Sequence, residues 1–352
     1  MNLLFTSHRF FPDVGGIESH SQILASYLAS KGCGVVLATR SAAGSAVREF
    51  PYPVLRRAAA GVLRQAHRDA DLVYQNNIEL GALWPGIGLR KPLVISIHTW
   101  LRGSDGRRRP VDLLKKFILH RAHRVVCVSE ALRRDTFSKA LVVPNPYDDR
   151  LFRKLPGATR DRAVVFLGRL VSDKGADVLV EAFARLAVDR ELQNACARMG
   201  TSWRLTIIGS GAEKTALESQ VAERGLSDRV EFCGAVAGEE LVSILNRHRV
   251  IAIPSRWREP FGMVALEGMA CGCVPIGSDG GGLPDAIGEA GLTFRRGSIE
   301  GLEEGLRRLF LEPNLLDDFE NRAAAHLARH RRDVVCARYL EILHSAKMNH
   351  DA

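Results

Sequence analysis

The sequence predicts an α/β protein built from two Rossmann-like domains, each a parallel sheet covered by helices on both faces. Three observations carry that expectation. Short apolar runs of strand length alternate with helical patterns along most of the chain, as buried parallel strands joined by helical crossovers do. Near the middle the pattern breaks at Pro144-Asn-Pro-Tyr-Asp-Asp-Arg150 and Leu155-Pro-Gly157, where prolines, glycine and charges replace apolar periodicity. And 352 residues are too many for one typical domain but suit two. The domains are placed at 1–147 and 148–333, with the last helix, Val334 to Lys347, expected at the surface and returning to the first domain.

Asn2 to Thr6 reads as the first strand; with no basic leader or cleavage site, it is not a signal peptide. The loop Phe10-Phe-Pro-Asp-Val-Gly-Gly-Ile17 then sets Gly15 and Gly16 before a helix from Glu18 to Lys31, with Ile23, Leu24, Tyr27 and Leu28 along one side. Glycine amides at a helix start can approach a phosphate. Val35 to Thr39, Leu72 to Gln75, Leu93 to His98, Val125 to Ser129 and Leu141 to Val143 supply further strands. His98 closes its strand at the carboxyl edge, where open α/β sheets place ligands.

The pattern restarts at Ala163 to Leu167. Gly168-Arg-Leu-Val-Ser-Asp-Lys-Gly175 follows, then a helix carrying Val178, Leu179, Ala182, Phe183 and Leu186. Arg169 and Lys174 bring two cations to one sheet edge beside a helix N-terminus, a combination suited to a diphosphate. Leu205 to Ile208, Val230 to Phe232, Val250 to Ile253 and Val274 to Ile276 continue the strands, while Val188 to Trp203 has no assignment. Gly209-Ser-Gly211 lacks the third glycine of the dinucleotide fingerprint, and no complete Gly-x-Gly-x-x-Gly follows the first strand of either domain, which argues against a dehydrogenase.

Ser255 to Gly272 turns from strand to helix. Glu259 falls in the turn and Glu267 eight positions later in the helix. At about 1.5 Å rise per residue the two carboxylates stand on the order of 10 Å apart. They are badly placed to share a proton or attack one atom from opposite sides, and well placed as two anchors for a long ligand. The amides of Phe261 to Val264 open the helix between them.

The net charge of +9 favours acidic partners: nucleotides, phospholipid surfaces or nucleic acid. No apolar run is long enough to span a bilayer. Seven scattered cysteines fit a reducing compartment, with Cys271-Gly-Cys273 as small core residues. Asp69-Ala-Asp71 matches an Asp-x-Asp metal pattern but opens a strand, so no metal is assigned. Arg102, Arg107 to Arg109, Lys115, Lys116, Arg121, His123 and Arg124 cluster beside Trp100 and Leu101, either as a solvated face or as a peripheral contact with an anionic membrane.

Taken in order, Pro12-Asp-Val-Gly15-Gly16 with Glu18, Gly168-Arg169 through Lys174-Gly175, Gly209-Ser-Gly211, Arg229-Val-Glu-Phe-Cys-Gly234 and Glu259-Pro-Phe-Gly262 through Glu267 resemble glycosyltransferase family four, of the GT-B fold. The resemblance implies two facing domains and a retaining, metal-independent transfer without cofactor. A sugar moves from a nucleotide-diphosphate donor to a glycan, lipid-linked or small-molecule acceptor, in bacterial polysaccharide or glycoconjugate biosynthesis. It implies a cytoplasmic enzyme with no nucleic-acid partner. By the same resemblance Glu259 holds hydroxyls of the transferred sugar, Phe261, Gly262, Met263 and Val264 support that sugar and the phosphates, and Glu267 takes the ribose. Arg169 and Lys174 bind the diphosphate, Gly15, Gly16 and Gly209 line the donor, Val236 lies beside the base, and His98 lines the acceptor side. Thr99, Pro146 and Asp285 depart from the family's usual residues. Two other readings share the fold: a sugar-nucleotide epimerase, for which no paired acid and base stand out beyond His98, and a non-catalytic nucleotide- or glycan-binding subunit, which would not need Glu259 and Lys174.

Overall fold

A computed structural model describes residues 1–13, 15–44, 48–101, 110–312 and 314–351. Val14 of the glycine loop, and Arg102 and Arg107 to Arg109 of the basic cluster, lie outside the described residues. The chain forms two compact units, one from Met1–Pro146 together with the chain from Arg331 onward, the other from Tyr147–His330. The crossings fall one and three residues before the limits drawn from sequence. Within the second unit the Tyr147 amide donates to the His330 carbonyl at 3.2 Å, tying its first residue to its last.

The first unit runs β1 (Asn2–Ser7), α1 (Gly16–Ser30), β2 (Gly34–Thr39), β3 (Val54–Arg56), α2 (Ala60–Asp69), β4 (Leu72–Asn76), α3 (Leu80–Leu83), β5 (Leu93–Ile97), α4 (Pro110–Arg121), β6 (Arg124–Cys127), α5 (Glu130–Thr136) and β7 (Leu141–Val142). Among the described residues these strands make one parallel sheet in the order β3-β2-β1-β4-β5-β6-β7. The order reverses between β1 and β4, where Phe5 aligns with Tyr74 and their rings meet at 4.6 Å. Such a reversal opens a crevice at the carboxyl edge of an α/β sheet. The three residues of β3 are too few to show a period in the sequence, so that edge strand was not legible there.

The second unit runs β8 (Arg162–Leu167), α6 (Ala176–Leu186), α7 (Arg190–Arg198), β9 (Ser202–Ile208), α8 (Lys214–Glu223), β10 (Val230–Gly234), α9 (Gly238–Asn246), β11 (His248–Ile253), α10 (Met263–Ala270), β12 (Val274–Ser278), α11 (Leu283–Ile287), β13 (Leu292–Phe294), α12 (Ile299–Leu311) and α13 (Leu315–Ala328). Its parallel sheet has the order β10-β9-β8-β11-β12-β13, reversing between β8 and β11. The unassigned stretch holds α7, whose N-cap Asp189 accepts from the amides of Glu191 and Leu192. Only Leu192, Ala195 and Cys196 of α7 are buried, a stripe too narrow to stand out from a polar sequence. Trp203, at the end of that stretch, stacks on Phe183 at 4.8 Å and meets Phe310 edge-on, so the unassigned segment closes the core of this unit.

The last helix, α14 (Arg332–Asp351), belongs to the first unit. Val335, Cys336, Tyr339, Leu343 and Ala346 recur at three- and four-residue spacing and are buried in the same core as Leu24, Leu28 and Tyr74. It is therefore a core element on one face and not a surface element alone. The Tyr339 hydroxyl reaches the Ser96 hydroxyl of β5 at 2.9 Å, a contact across 243 positions of sequence. Tyr339→Ala removes a fully buried ring and one of the two hydrogen-bond partners of the Ser96 hydroxyl, and is expected to cost roughly 3–5 kcal/mol of first-unit stability. Urea unfolding followed by circular dichroism measures it, with Tyr339→Phe losing far less.

Candidate functional site

The carboxyl edge of the second sheet gathers most of the residues singled out in the sequence. β8 ends at Leu167, and the chain passes through Gly168 and Arg169 into a short turn, Ser172–Lys174, before Gly175 opens α6. Gly175 has φ 68°, and a Cβ there would stand 2.1 Å from the Pro254 carbonyl oxygen. Only glycine meets both demands. The amides of Arg256 and Trp257 donate to the Asp173 carbonyl at 2.8 and 3.0 Å, so the loops after β8 and β11 are fastened backbone to backbone.

That fastening brings Lys174 to Glu259, 85 positions away in sequence. Lys174 Nζ donates to Glu259 Oε1 at 2.6 Å, and the Ser255 hydroxyl donates to the same oxygen at 2.7 Å. The Glu259 side chain is 12% exposed, and that of Lys174 26%. Glu259 Oε2 has no hydrogen-bond partner among the described residues, so one carboxylate oxygen is committed and the other is open. The Glu259 backbone is fixed as well: it bridges Gly281 in parallel, and its carbonyl accepts from the Gly282 amide at 2.7 Å. Gly281 has φ 76°, and a Cβ there would come within 2.2 Å of the Glu259 oxygen. Ser255, which shares Oε1 with Lys174, was missed in the sequence, where nothing sets it apart from other loop serines.

α10 begins at Met263 behind Gly262, and its first amides point out of the helix without intrahelical acceptors. Phe261 and Met263 are buried, while Gly262 and Val264 are partly exposed. One turn further, Glu267 is half-buried and makes no hydrogen bond or ion pair among the described residues. Burial, and then the neighbouring charge of Asp148, push its carboxyl up to about 7. Arg169 is exposed, and its guanidinium has no partner among the described residues. Gly209, after β9, donates its amide to the Gly234 carbonyl at 2.7 Å, and Val236 lies half-buried between β10 and α9.

Three of the singled-out residues lie in the other unit. Gly15 and Gly16 form the start of α1. His98 follows β5 and is 4% exposed. Its Nε2 is 2.8 Å from the Ser96 hydroxyl, its amide donates to Asn77 Oδ1 at 2.7 Å, and its ring lies 4.3 Å from that of His20. Burial, and secondarily the adjacent His20, hold its imidazole well below the usual histidine range, against a smaller opposing effect of Asn145. His98 is thus a neutral, tightly held group. Ser96 and His20 beside it, with Tyr339 against both of those, carried no signal as a set, because they come from three separate elements.

Cys271 and Cys273 are both buried, and Cys273 donates its thiol to the Leu245 carbonyl at 3.2 Å. Asp71 pairs with Lys347 at 3.1 Å and accepts from the Asn2 amide. Among the described residues no group of three or more His, Cys, Asp or Glu side chains is placed to hold a metal ion.

Two parallel sheets, the second with a cationic, carboxylate-bearing carboxyl edge, are the features that comparison with known proteins places in a family. The profile of the family described as glycosyl transferases group 1 matches residues 148–326, and that of glycosyltransferase family 4 matches residues 14–150. The chain belongs to the glycosyl transferases group 1 family and is an enzyme of the GT-B hexosyltransferase type. It is 28% identical to the D-inositol 3-phosphate glycosyltransferase of Acidothermus cellulolyticus, over 91% of this chain and 83% of that one. It is 25% identical to the phosphatidylinositol N-acetylglucosaminyltransferase gpi3 subunit of Schizosaccharomyces pombe, over 84% and 70%. In fold it is similar to Anabaena Alr3699/HepE in complex with UDP and glucose, at a TM-score of 0.81 and 20% identity, over 98% of this chain and all of that one.

The raised Glu267 carboxyl has a measurable consequence. Folding favours its protonated form, so its contribution to stability is present below the ordinary glutamate range and is lost as pH rises toward about 7. Glu267→Gln, which has no charge to bury, is expected to gain on the wild type between about pH 4.5 and 7 and to hold a constant advantage above. Urea unfolding at pH 5 and pH 8 reads the difference.

Proposed function

We propose that the protein is a retaining glycosyltransferase that moves a hexose from a nucleotide-diphosphate donor to a glycan, lipid-linked or small-molecule acceptor. The observation that carries this reading is the single open oxygen of Glu259: Lys174 and Ser255 take Oε1 and leave Oε2 to accept a sugar hydroxyl. Glu267, on the helix that follows Glu259, offers a second acceptor without a protein donor among the described residues, for the ribose hydroxyls. The unpartnered guanidinium of Arg169, Lys174 and the N-termini of α6 and α10 supply positive potential for the diphosphate in place of a metal ion. Complexes of Anabaena Alr3699/HepE with UDP and UDP-glucose support a UDP-linked donor.

In the proposed reaction the bond between the sugar's anomeric carbon and the phosphate oxygen breaks, and its electron pair leaves with the diphosphate. The acceptor oxygen bonds to the same face of that carbon, and its proton passes to the departing phosphate. Arg169 and Lys174 stabilise the charge as it develops, which is where preorganised donors act most strongly. Gly15, Gly16 and Gly209 line the donor, Val236 borders the base, and Phe261 to Val264 support the sugar and phosphates. Neutral His98 serves the acceptor side as a fixed hydrogen-bonding group and not as a charged acid. Work on polysaccharide or glycoconjugate precursors in the cytoplasm is consistent with the reduced cysteines.

Peripheral membrane contact is the second part of this reading. α4 turns Asp112 and Leu119 inward, while Leu113, Leu114 and Phe117 stand 66%, 47% and 56% exposed on its outer side. The Arg121 guanidinium lies 5.1 Å from the Phe117 ring centroid, and Lys115 and Lys116, both partly exposed, sit in the middle of the same helix. Apolar side chains rimmed by cations suit an anionic lipid surface.

Two outcomes test these statements. Lys174→Ala and Glu259→Ala are each expected to lower kcat for sugar transfer by roughly 10²–10³-fold while circular dichroism stays unchanged, the scale set by removing one preorganised charge partner. Near-normal turnover in both removes the assignment. Sedimentation with phosphatidylglycerol-containing vesicles is expected to carry the protein down, and neutral vesicles or Leu113→Asp with Phe117→Asp to leave it in solution; equal recovery throughout rules out the membrane contact.

A further inference from the structure

The first unit has a cavity of its own, of about 580 Å³, at the carboxyl edge of β2 and β3 and beneath the turn after β4. That volume lies in the range of small-molecule sites, roughly 300–1,000 Å³. One side is apolar, from Leu55, Leu63 and Pro85; the other carries Arg57 and Glu79; and Trp84, 58% exposed, stands at its edge.

The polar side is built, not incidental. Glu79 is held at both ends of its peptide by Gln75, whose side-chain amide donates to its carbonyl at 3.0 Å and whose side-chain oxygen accepts from its amide at 3.3 Å. Its carboxylate is 12% exposed and commits Oε1 to Arg40 and to His8 Nδ1, the latter at 3.5 Å. Oε2 has no partner among the described residues. Arg57 sits at φ 46°, a left-handed conformation uncommon outside glycine and concentrated at functional positions. It is kept there by its amide, which donates to the Thr39 carbonyl at 2.8 Å, and by its Nε, which donates to the Arg40 carbonyl at 3.1 Å. Its two terminal nitrogens make no hydrogen bond among the described residues. Arg64 Nη1 donates to the Pro85 carbonyl at 2.9 Å and fixes the turn that carries Trp84.

We propose that this cavity binds a negatively charged saccharide unit, phosphorylated or uronic, as part of the acceptor. The ring's C–H face lies on the Trp84 indole, a hydroxyl donates to Glu79 Oε2, and the anionic group takes the open fork of Arg57. The charge sign follows from the partners: Arg40 already answers the Glu79 carboxylate, and Arg57 remains an uncompensated cation with two parallel donors, the geometry that fits phosphate or carboxylate. The inference rests on the glycosyltransferase reading only in calling that unit the acceptor; the binding itself does not require it.

The test titrates glucose 6-phosphate, glucuronate, glucose and inorganic phosphate into the full chain, followed by NMR chemical shifts, with UDP binding measured in parallel. At least one charged sugar is expected to bind roughly ten-fold or more tightly than glucose or phosphate alone, and which one does distinguishes phosphate from carboxylate recognition. Trp84→Ala is expected to weaken it about as much again, through the lost ring contact. Arg57→Gly, which accepts the left-handed backbone without strain, is expected to bring the charged sugar down to the affinity of glucose. Equal affinities for charged and neutral sugars, free phosphate binding as tightly as the sugar phosphate, or unchanged binding in both variants overturns the proposal. UDP affinity separates the two readings. Failure of the wild type to bind UDP counts against the proposed function and leaves the cavity standing, whereas normal UDP binding with charge-blind sugar binding removes the cavity assignment alone.

Discussion

One carboxylate oxygen, Glu259 Oε1, holds the site at the second sheet together. Two donors from different loops converge on it, Lys174 from the turn after β8 and Ser255 from the end of β11, and both loops are locked by backbone contact before any side chain is considered. The Asp173 carbonyl takes two amides from the Arg256 loop, and the Gly175 backbone lies against the Pro254 carbonyl too closely for any Cβ. A lysine side chain on its own loses considerable rotamer entropy when ordered. Here much of that cost is met during folding, because its partner sits on a backbone that cannot drift. A cation so prepared needs little reorganisation when charge develops on a ligand, which is the condition under which electrostatic stabilisation is most effective.

The sequence made the parts of this site legible but not their pairing. Arg169, Lys174 and Glu259 stand out because each lies between a strand and a helix, Glu267 because it follows Glu259 by eight positions in the next helix, and the strands themselves show as apolar runs buried on both faces. That Lys174 and Glu259 touch could not be read, since they are 85 positions apart and the strand order that joins β8 to β11 is a property of the sheet. The same limit explains Ser255, and also α14: its buried stripe is visible as spacing, yet its hydrogen bond to Ser96 depends on where the chain returns. Short elements escaped for a simpler reason. β3 and β13 have three residues each, fewer than a period-two pattern needs to be distinguished from loop.

His98 shows how edge position and burial give different information. Its place after β5 marks it as ligand-facing, while the structure encloses it with His20, Ser96 and Asn77. Burial lowers His20 to about 3, and His248 and His330 in the other unit to about 4 each, so these imidazoles are neutral polar struts across the physiological range. A buried neutral histidine contributes directed hydrogen bonds without the desolvation cost of a charge. Burial acts on Glu267 in the same sense, favouring the neutral acid and raising its carboxyl to about 7.

The two units share one arrangement of charge, a carboxylate with one oxygen paired to a cation. A carbohydrate presents many hydroxyl donors, and a carboxylate is the strongest neutral-pH acceptor for them, but a bare carboxylate near a phosphate repels it. At Glu259 the repulsion is offset by Lys174 on Oε1; at Glu79 it is offset by Arg40 on Oε1. In each case the second oxygen stays open, and a further arginine, Arg169 or Arg57, keeps its terminal nitrogens without a partner among the described residues. An acid half-committed to a cation can thus accept hydroxyls while the surroundings remain net positive.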